Sequence, residues 1–429
     1  MTADEKNDAE ATMAETKKTT TTTTTIKPKL GQPSASEDSA SPYPDMELCQ
    51  QIHKIVVKAF HNESDDGNKL QTKVLTSIRE ELENPTLYEF VESSLGVTTE
   101  IWSVEDIAAT KEINKKMLQS LEDKVNEAKE SAGDMEVMDA RVELARFAAK
   151  SLTEEQALEA YKKLLDLPKV SNGKKIDAVM ESSRVSSFYG DSKKASESID
   201  KAQKMATEEG GGDWDRRNRL KVYRGLQRLL ERDTKAAATL LIDCIATFSC
   251  NEICSYQDFI VYSILSNLLH LPRPQIKAKI LDGPEILSVA NDIPVVIKLV
   301  QSLYDCDYKT FLNAMVEVER ILQGDRYFQP HLSFWMRELH ILAYKQFLDS
   351  YQSVTLQAMA TAFGVSIEFV DYHASRFIAA GRLSAKIDKY GGVILTNRPD
   401  LKNAQYRETI QKGDLLLNRI QKLARVVDL

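Results

Sequence analysis

Phosphate-binding loops, metal-ligand spacings and membrane-length apolar runs are all missing from these 429 residues. No G-x-x-x-x-G-K-S/T and no G-x-G-x-x-G follows a strand, so nucleotide hydrolysis is not expected. The six histidines, His53, His61, His270, His331, His340 and His373, are scattered and form no H-E-x-x-H. Zinc needs three or four convergent ligands, and Cys250 and Cys254 offer at most two. A serine, cysteine or threonine nucleophile needs a base and an orienting group beside it, and no elbow motif supplies that setting. The five cysteines, Cys49, Cys244, Cys250, Cys254 and Cys306, make no even framework and are expected as reduced, mostly buried thiols, with Cys244, Cys250 and Cys254 in one helix and its exit. No apolar run approaches bilayer length and the first residues lack a leader's basic and apolar regions, so a soluble intracellular protein is expected. Asn62-Glu63-Ser64 is then a chance match to the glycosylation triplet. A net charge of −8 makes no field that attracts nucleic acid or an anionic membrane.

What is present is ordinary globular material, 42% apolar and 28% charged, enough for two or three domains. Residues 1–44 carry a threonine run from Thr19 to Thr25 and Pro28, Pro33, Pro42 and Pro44, with few large apolar side chains. That composition cannot offset the entropy of ordering and is expected to form a disordered tail. Residues 45–134 are expected as helices, about Met46–Phe60, Lys69–Glu83, one from about Thr86 and a long charged one over Val104–Ser131, with Gly133 ending the last. Over 135–330 the chain repeats at about forty residues, a period of helix-pair solenoids. Segments beginning at Glu154, Ser192 and Thr234 align, each placing a small residue (Ala157, Ala195, Ala236) where two helices approach closely. The helices before them end in Phe147, Tyr189 and Leu229. One pair cannot bury its apolar face alone, so the pairs must stack into a curved rod. Pro272, Pro274, Pro284 and Pro294 break the later helices, and a bridging helix, about His331–Tyr351, leads out of the array.

Residues 331–400 then follow the order of a winged helix. Thr355 caps a short helix bearing Leu356, Met359, Ala360 and Phe363, and Gly364 ends it with a positive φ. Ser366 caps a second helix with the stripe Ile367, Val370, Ala374, Phe377 and Ile378, closed by Gly381. LSAKI and VILT alternate as strands around Lys389-Tyr390-Gly391-Gly392, the expected wing and the only strands expected. A helix seated among phosphates needs several cations, whereas this one sets Glu368 and Asp371 against a single Arg376. Protein docking is therefore expected over nucleic-acid reading. Two short strands are too few to be stable with both edges open, so the hairpin, with Val393 and Leu395, is expected to dock edge-on to another subunit.

Gly210-Gly211-Gly212 precedes a helix start, Asp213-Trp214-Asp215-Arg216-Arg217-Asn218-Arg219. Arg216, Arg217 and Arg219 are able to pair with acids of the adjoining repeat, and the motif is either an arginine-rich contact for an acidic partner segment or a solvated charged face with Trp214 as a packing anchor. In the last segment, 401–429, Tyr406, Ile410, Leu417, Ile420, Ala424 and Val427 fall at spacings of three and four once Gly413 is counted. That is a coiled-coil seam, expected to serve assembly and not the chain's own core.

Five blocks make the sequence recognisable: EEGGGDWDRRNRLKVYRGL (Glu208–Leu226), AFGVS (Ala362–Ser366), RFIAAGRLSAKID (Arg376–Asp388), TNRPD (Thr396–Asp400) and KGDLLLNRIQKL (Lys412–Leu423). From about Met135 to Leu429 the chain resembles the PCI-domain subunits of the proteasome regulatory-particle lid, the family of regulatory particle non-ATPase subunit seven. It departs from that pattern at Lys150-Ser151-Leu152, where a Gly-Asp turn is expected. PCI subunits of the COP9 signalosome and of translation initiation factor three share the architecture and are the alternatives, a winged-helix nucleic-acid-binding regulator being a distant one. The resemblance implies a mostly α fold: a TPR-like right-handed helical repeat solenoid, a winged-helix PCI module and a C-terminal helix. It also implies a non-catalytic scaffold without cofactors, hetero-oligomeric, in cytoplasm and nucleus, binding neither nucleic acid nor membrane. The implied neighbours are other PCI lid subunits, a small acidic lid peptide, the proteasomal ATPase ring and the lid's zinc deubiquitinase.

Overall fold

The computed structural model describes residues 44–60, 64–95, 101–131, 133–167, 170–208, 213–396 and 401–427. The threonine-rich segment, the glycosylation triplet's first two residues, the Gly210–Gly212 triplet and residues 397–400 of the TNRPD block lie outside them.

Four helices come first: α1 (Met46–Phe60), α2 (Ser64–Ser77), α3 (Pro85–Leu95) and α4 (Val104–Ser131). Helix α2 starts five residues before the expected Lys69 and runs into a π turn, Ile78–Leu82. Pro85 opens α3 where its missing N–H costs nothing, and Asn84 caps the same helix, its Oδ1 accepting from the Leu87 N–H at 3.0 Å. Leu75, Ile78, Tyr88, Val91 and Trp102 form the core of this group. In α4, Ile107 joins this core and Leu121 and Val125 are buried further on, while Ile113 and Met117 between them face out.

Helices α5 (Asp134–Ser151), α6 (Glu154–Leu165), α7 (Asn172–Tyr189), α8 (Ser192–Glu208), α9 (Trp214–Leu230), α10 (Thr234–Ile242) and α11 (Tyr256–Leu268) follow, each packing on the next. The link between α5 and α6 uses no glycine. Leu152 is extended and Thr153 caps α6, its Oγ1 accepting from Gln156 N–H at 3.4 Å. Ala157 and Ala195 are buried as the repeat predicts, but the third repeat is offset by one: Ala237 is buried and Ala236 only half-buried. The close approach is shared with Gly225, where an added Cβ would sit 2.7 Å from Leu241 Cδ2. Helix α10 has only nine residues, because the chain leaves it through a 3-10 turn, Ile245–Thr247. Cys244, Cys250 and Cys254 therefore sit in the turns between α10 and α11 and not in one helix; all five cysteines are free thiols.

Beyond α11, helices α12 (Arg273–Ile276), α13 (Pro284–Val289) and α14 (Pro294–Asp305) begin at or beside prolines, so these residues start helices as well as interrupt them. Helices α15 (Tyr308–Leu322) and α16 (Leu332–Leu348) complete the run. One continuous core extends from Ile176 in α7 to Ile394 near the C-terminal end, with Trp335 of α16 buried inside it. Helix α1 docks on this run across some 275 residues of sequence. The Gln50 side chain donates to Asp325 Oδ2 at 2.7 Å and accepts from Arg326 N–H at 3.1 Å. Tyr262 also donates to Asp325 Oδ2, at 2.5 Å.

Next come β1 (Ser353–Thr355), α17 (Leu356–Phe363), α18 (Ile367–Ala379), β2 (Ala385–Asp388) and β3 (Val393–Thr396). Every expected cap is in place: Ala358 N–H on Thr355 Oγ1 at 3.1 Å, Phe369 N–H on Ser366 Oγ at 3.2 Å, and Gly364 and Gly381 in the left-handed region. Two expectations fail. Ile367 is exposed and does not join the buried stripe of Val370, Ala374 and Phe377. The sheet has three strands in the order β1-β3-β2, not two. Val393 pairs with Thr355 on one side and Asp388 on the other, so β3 is central and offers no free edge. The last element is α19 (Leu401–Val427).

Candidate interaction surfaces

The arginine cluster at the start of α9 divides into two kinds of residue. Arg216 lies on Asp177 of α7 in a bidentate contact, Nε at 3.1 Å from both carboxylate oxygens and Nη2 at 2.9 Å from one. Arg219 is 8% exposed and binds Glu252, with Nη2–Oε1 at 2.8 Å and Nε–Oε1 at 3.0 Å. Tyr223 donates to the same oxygen at 3.3 Å. These two arginines tie α9 to the preceding and following turns of the stack. Arg217 and Trp214 point outward, Trp214 at 65% exposure, with Lys221 exposed one turn further on. Sequence spacing could not separate the three arginines, because Asp177 and Glu252 lie 39 and 33 residues away.

Two cations of the winged helix also have partners within it. Lys389 pairs with Asp371 at 3.3 Å, and the Arg376 guanidinium lies over the Tyr372 ring, 5.3 Å from its centroid. Tyr390 stands fully exposed at the wing tip. Leu395 is exposed and Val393 half-buried, so of the expected docking pair only the Leu395 side chain reaches solvent freely. Between α16 and α18, His340 and His373 face each other at 5.4 Å, with Phe369 stacked on His373 at 4.2 Å. Burial is the first cause holding both imidazoles below their usual pKa.

Helix α19 is unlike the other helices. Every one of its side chains that is described is exposed, including Tyr406, Ile410, Leu417, Ile420 and Val427 at 54–74%. Leu415, Leu416, Leu423 and Val426 are equally bare. A strict two-residue seam missed these four, although the run Leu415-Leu416-Leu417 signals them. With about 100° per residue, Leu423, Leu416, Val427, Ile420, Leu417 and Ile410 share a stripe about 140° wide. That stripe is wider than the seam of a two-stranded coiled coil. Leu415 and Val426 lie outside it.

Among the described residues there is no group of three His, Cys, Asp or Glu able to hold a metal ion, and no helix long and apolar enough to cross a membrane.

Three family models match this chain in succession. The family model for 26S proteasome subunit RPN7 matches residues 104–279, the PCI domain model matches 315–398, and the model of the C-terminal helix of 26S proteasome regulatory subunit RPN7/PSMD6 matches 405–427. The 26S proteasome non-ATPase regulatory subunit 6 homolog of Arabidopsis thaliana is 44% identical over 389 residues, 89% of this chain and 99% of that protein. The 26S proteasome regulatory subunit RPN7 of Saccharomyces cerevisiae is 35% identical over 321 residues, 74% of each chain. Subunit 1 of the COP9 signalosome complex of Arabidopsis thaliana is more distant, 24% identical over 198 residues and less than half of either chain. Helical stack, PCI module and exposed terminal helix thus occur in the order of the three matched models, and the chain belongs to the RPN7 family of 26S proteasome non-ATPase regulatory subunits.

Proposed function

We propose that this chain is a non-catalytic scaffold of the proteasome regulatory-particle lid, supporting lid assembly and thereby ubiquitin-dependent degradation. Its parts are the N-terminal helices to about residue 134, the repeat array to about 330, the winged helix to about 400 and the assembly helix beyond. The observation that carries the reading is α19: a 27-residue helix whose described large apolar side chains are all exposed, whereas every other α-helix buries at least one apolar side chain. Covering each such side chain contributes about 1.5–3 kcal/mol, enough for several together to drive association after ordering losses. Docking partners that fit the reading are other PCI subunits at the winged helix and a small acidic peptide at Trp214 and Arg217. The ATPase ring and the lid deubiquitinase are further neighbours, in cytoplasm and nucleus.

Deleting the chain after Pro399 tests the reading. Because α19 buries nothing on its own chain, the melting temperature of the isolated protein is expected to be near-unchanged while incorporation into the lid is lost. A large drop in melting temperature with incorporation retained would show that α19 belongs to the chain's own core. Co-purification of a tagged full chain separates the lid from signalosome and initiation-factor assemblies, whose subunit sets are disjoint.

A further inference from the structure

Cations predominate at the borders of the apolar stripe on α19. From Asn403 to Val427 there are five cations, Arg407, Lys412, Arg419, Lys422 and Arg425, against Glu408 and Asp414, on a chain whose net charge is −8. One border of the stripe holds Lys412 and Arg419; the other holds Arg407 and Arg425, with Asp414 as the exception. Glu408 pairs with Lys412 at 2.7 Å, so Arg419 carries the charge of that first border. Flanking charges set partner choice and orientation in helix bundles, while the apolar seam supplies adhesion without discrimination.

We propose that α19 selects its partners by charge: it docks against helices whose apolar stripes are bordered by glutamate or aspartate, and it rejects copies of itself. This rests on the reading of α19 as an assembly helix and adds the chemistry of what it accepts. Two α19 helices packed face to face bring cationic borders together, and like charges across such a seam are repulsive. An acidic-bordered partner instead meets arginines on both flanks, and guanidinium groups bind carboxylates in a bidentate fork. Leu415 and Val426 lie off the main stripe, so a second neighbour is able to cover them, which fits a helix inside a bundle better than one at its rim.

The test uses the full chain and two synthetic 27-residue helices with the same leucine and isoleucine stripe, one bordered by glutamate and one by lysine. Binding is followed by fluorescence anisotropy at low and high salt. The intact chain is expected to bind the glutamate-bordered helix about tenfold or more tightly than the lysine-bordered one, where tenfold corresponds to about 1.4 kcal/mol. The gap should narrow as salt rises. The double substitution Arg419→Glu with Arg425→Glu should reverse the order of the two probes, and sedimentation of the unsubstituted chain should show no self-association through α19. Equal binding of both probes, an unreversed order in the double variant, or self-association abolished by Ile420→Ala would overturn the proposal. Leu416→Ala with Ile420→Ala should lose both probes. If the intact chain binds neither probe, or those alanines change nothing, the assembly reading of α19 falls and the charge selection falls with it.

Discussion

Replacing Arg219 with alanine should be far more damaging than replacing Arg217, two residues away in the same arginine-rich motif. The Arg219 and Glu252 side chains are 10% and 7% exposed and 2.8 Å apart, joining α9 to the turn that precedes α11. Removing the guanidinium leaves the Glu252 carboxylate buried without its ion-pair partner, with the Tyr223 hydroxyl at 3.3 Å and the charge of buried Arg184 to stabilise it. Stranding one member of a buried pair costs about 3–5 kcal/mol, and the surviving hydroxyl places this case near about 3. Arg217 is exposed and has no such pairing, so its alanine substitution should lie within about 0.5 kcal/mol of the unsubstituted chain. The measurement is urea unfolding followed by helical circular dichroism, with hydrogen exchange of the α9 amides reporting the local effect. Arg219→Met combined with Glu252→Leu should recover most of the loss, because an apolar pair of similar volume replaces a buried ion pair at little or no penalty. Arg217→Glu should keep stability and weaken capture of an acidic peptide. The reasoning is refuted if the Arg219 and Arg217 alanine variants unfold together, or if the double variant is as unstable as Arg219→Ala.

Val393→Pro should unfold the wing, costing about 3 kcal/mol, because β3 is paired on both sides; loss of exchange protection over Ser353–Thr355 and Ala385–Thr396 would report it, and an intact sheet would contradict it. Gln50→Ala should raise hydrogen exchange in α1 and in the Leu322–His331 segment together, since the one amide side chain holds both; a rise confined to α1 would show that the contact carries no coupling. His53, His270, His340 and His373 are all held below the usual imidazole value, with burial the leading cause, so the unfolded chain takes up more protons. Stability should therefore fall as pH drops through about 6.5, and His340→Gln with His373→Gln should flatten melting temperature against pH; an unchanged slope would remove those two from the account.

The sequence by itself determined the elements whose signals are local. Thr355, Ser366, Gly364 and Gly381 mark helix ends because a cap acts within three or four residues, and all four do so in the structure. Helix α4 occupies Val104–Ser131 as read, and the stripe of α19 was visible because helical periodicity needs no partner to be seen. Tertiary structure decided the rest. A three-residue strand such as β1 carries too little pattern to be recognised alone, and pairing with β3, some forty residues later, makes it a strand. Arg216 and Arg219 became internal ties, and Arg217 a surface residue, only when stacking brought Asp177 and Glu252 within 3 Å of the first two. The same holds for Gln50 and Asp325: nothing near either residue names the other, because contact across 275 residues depends on how the intervening helices pack.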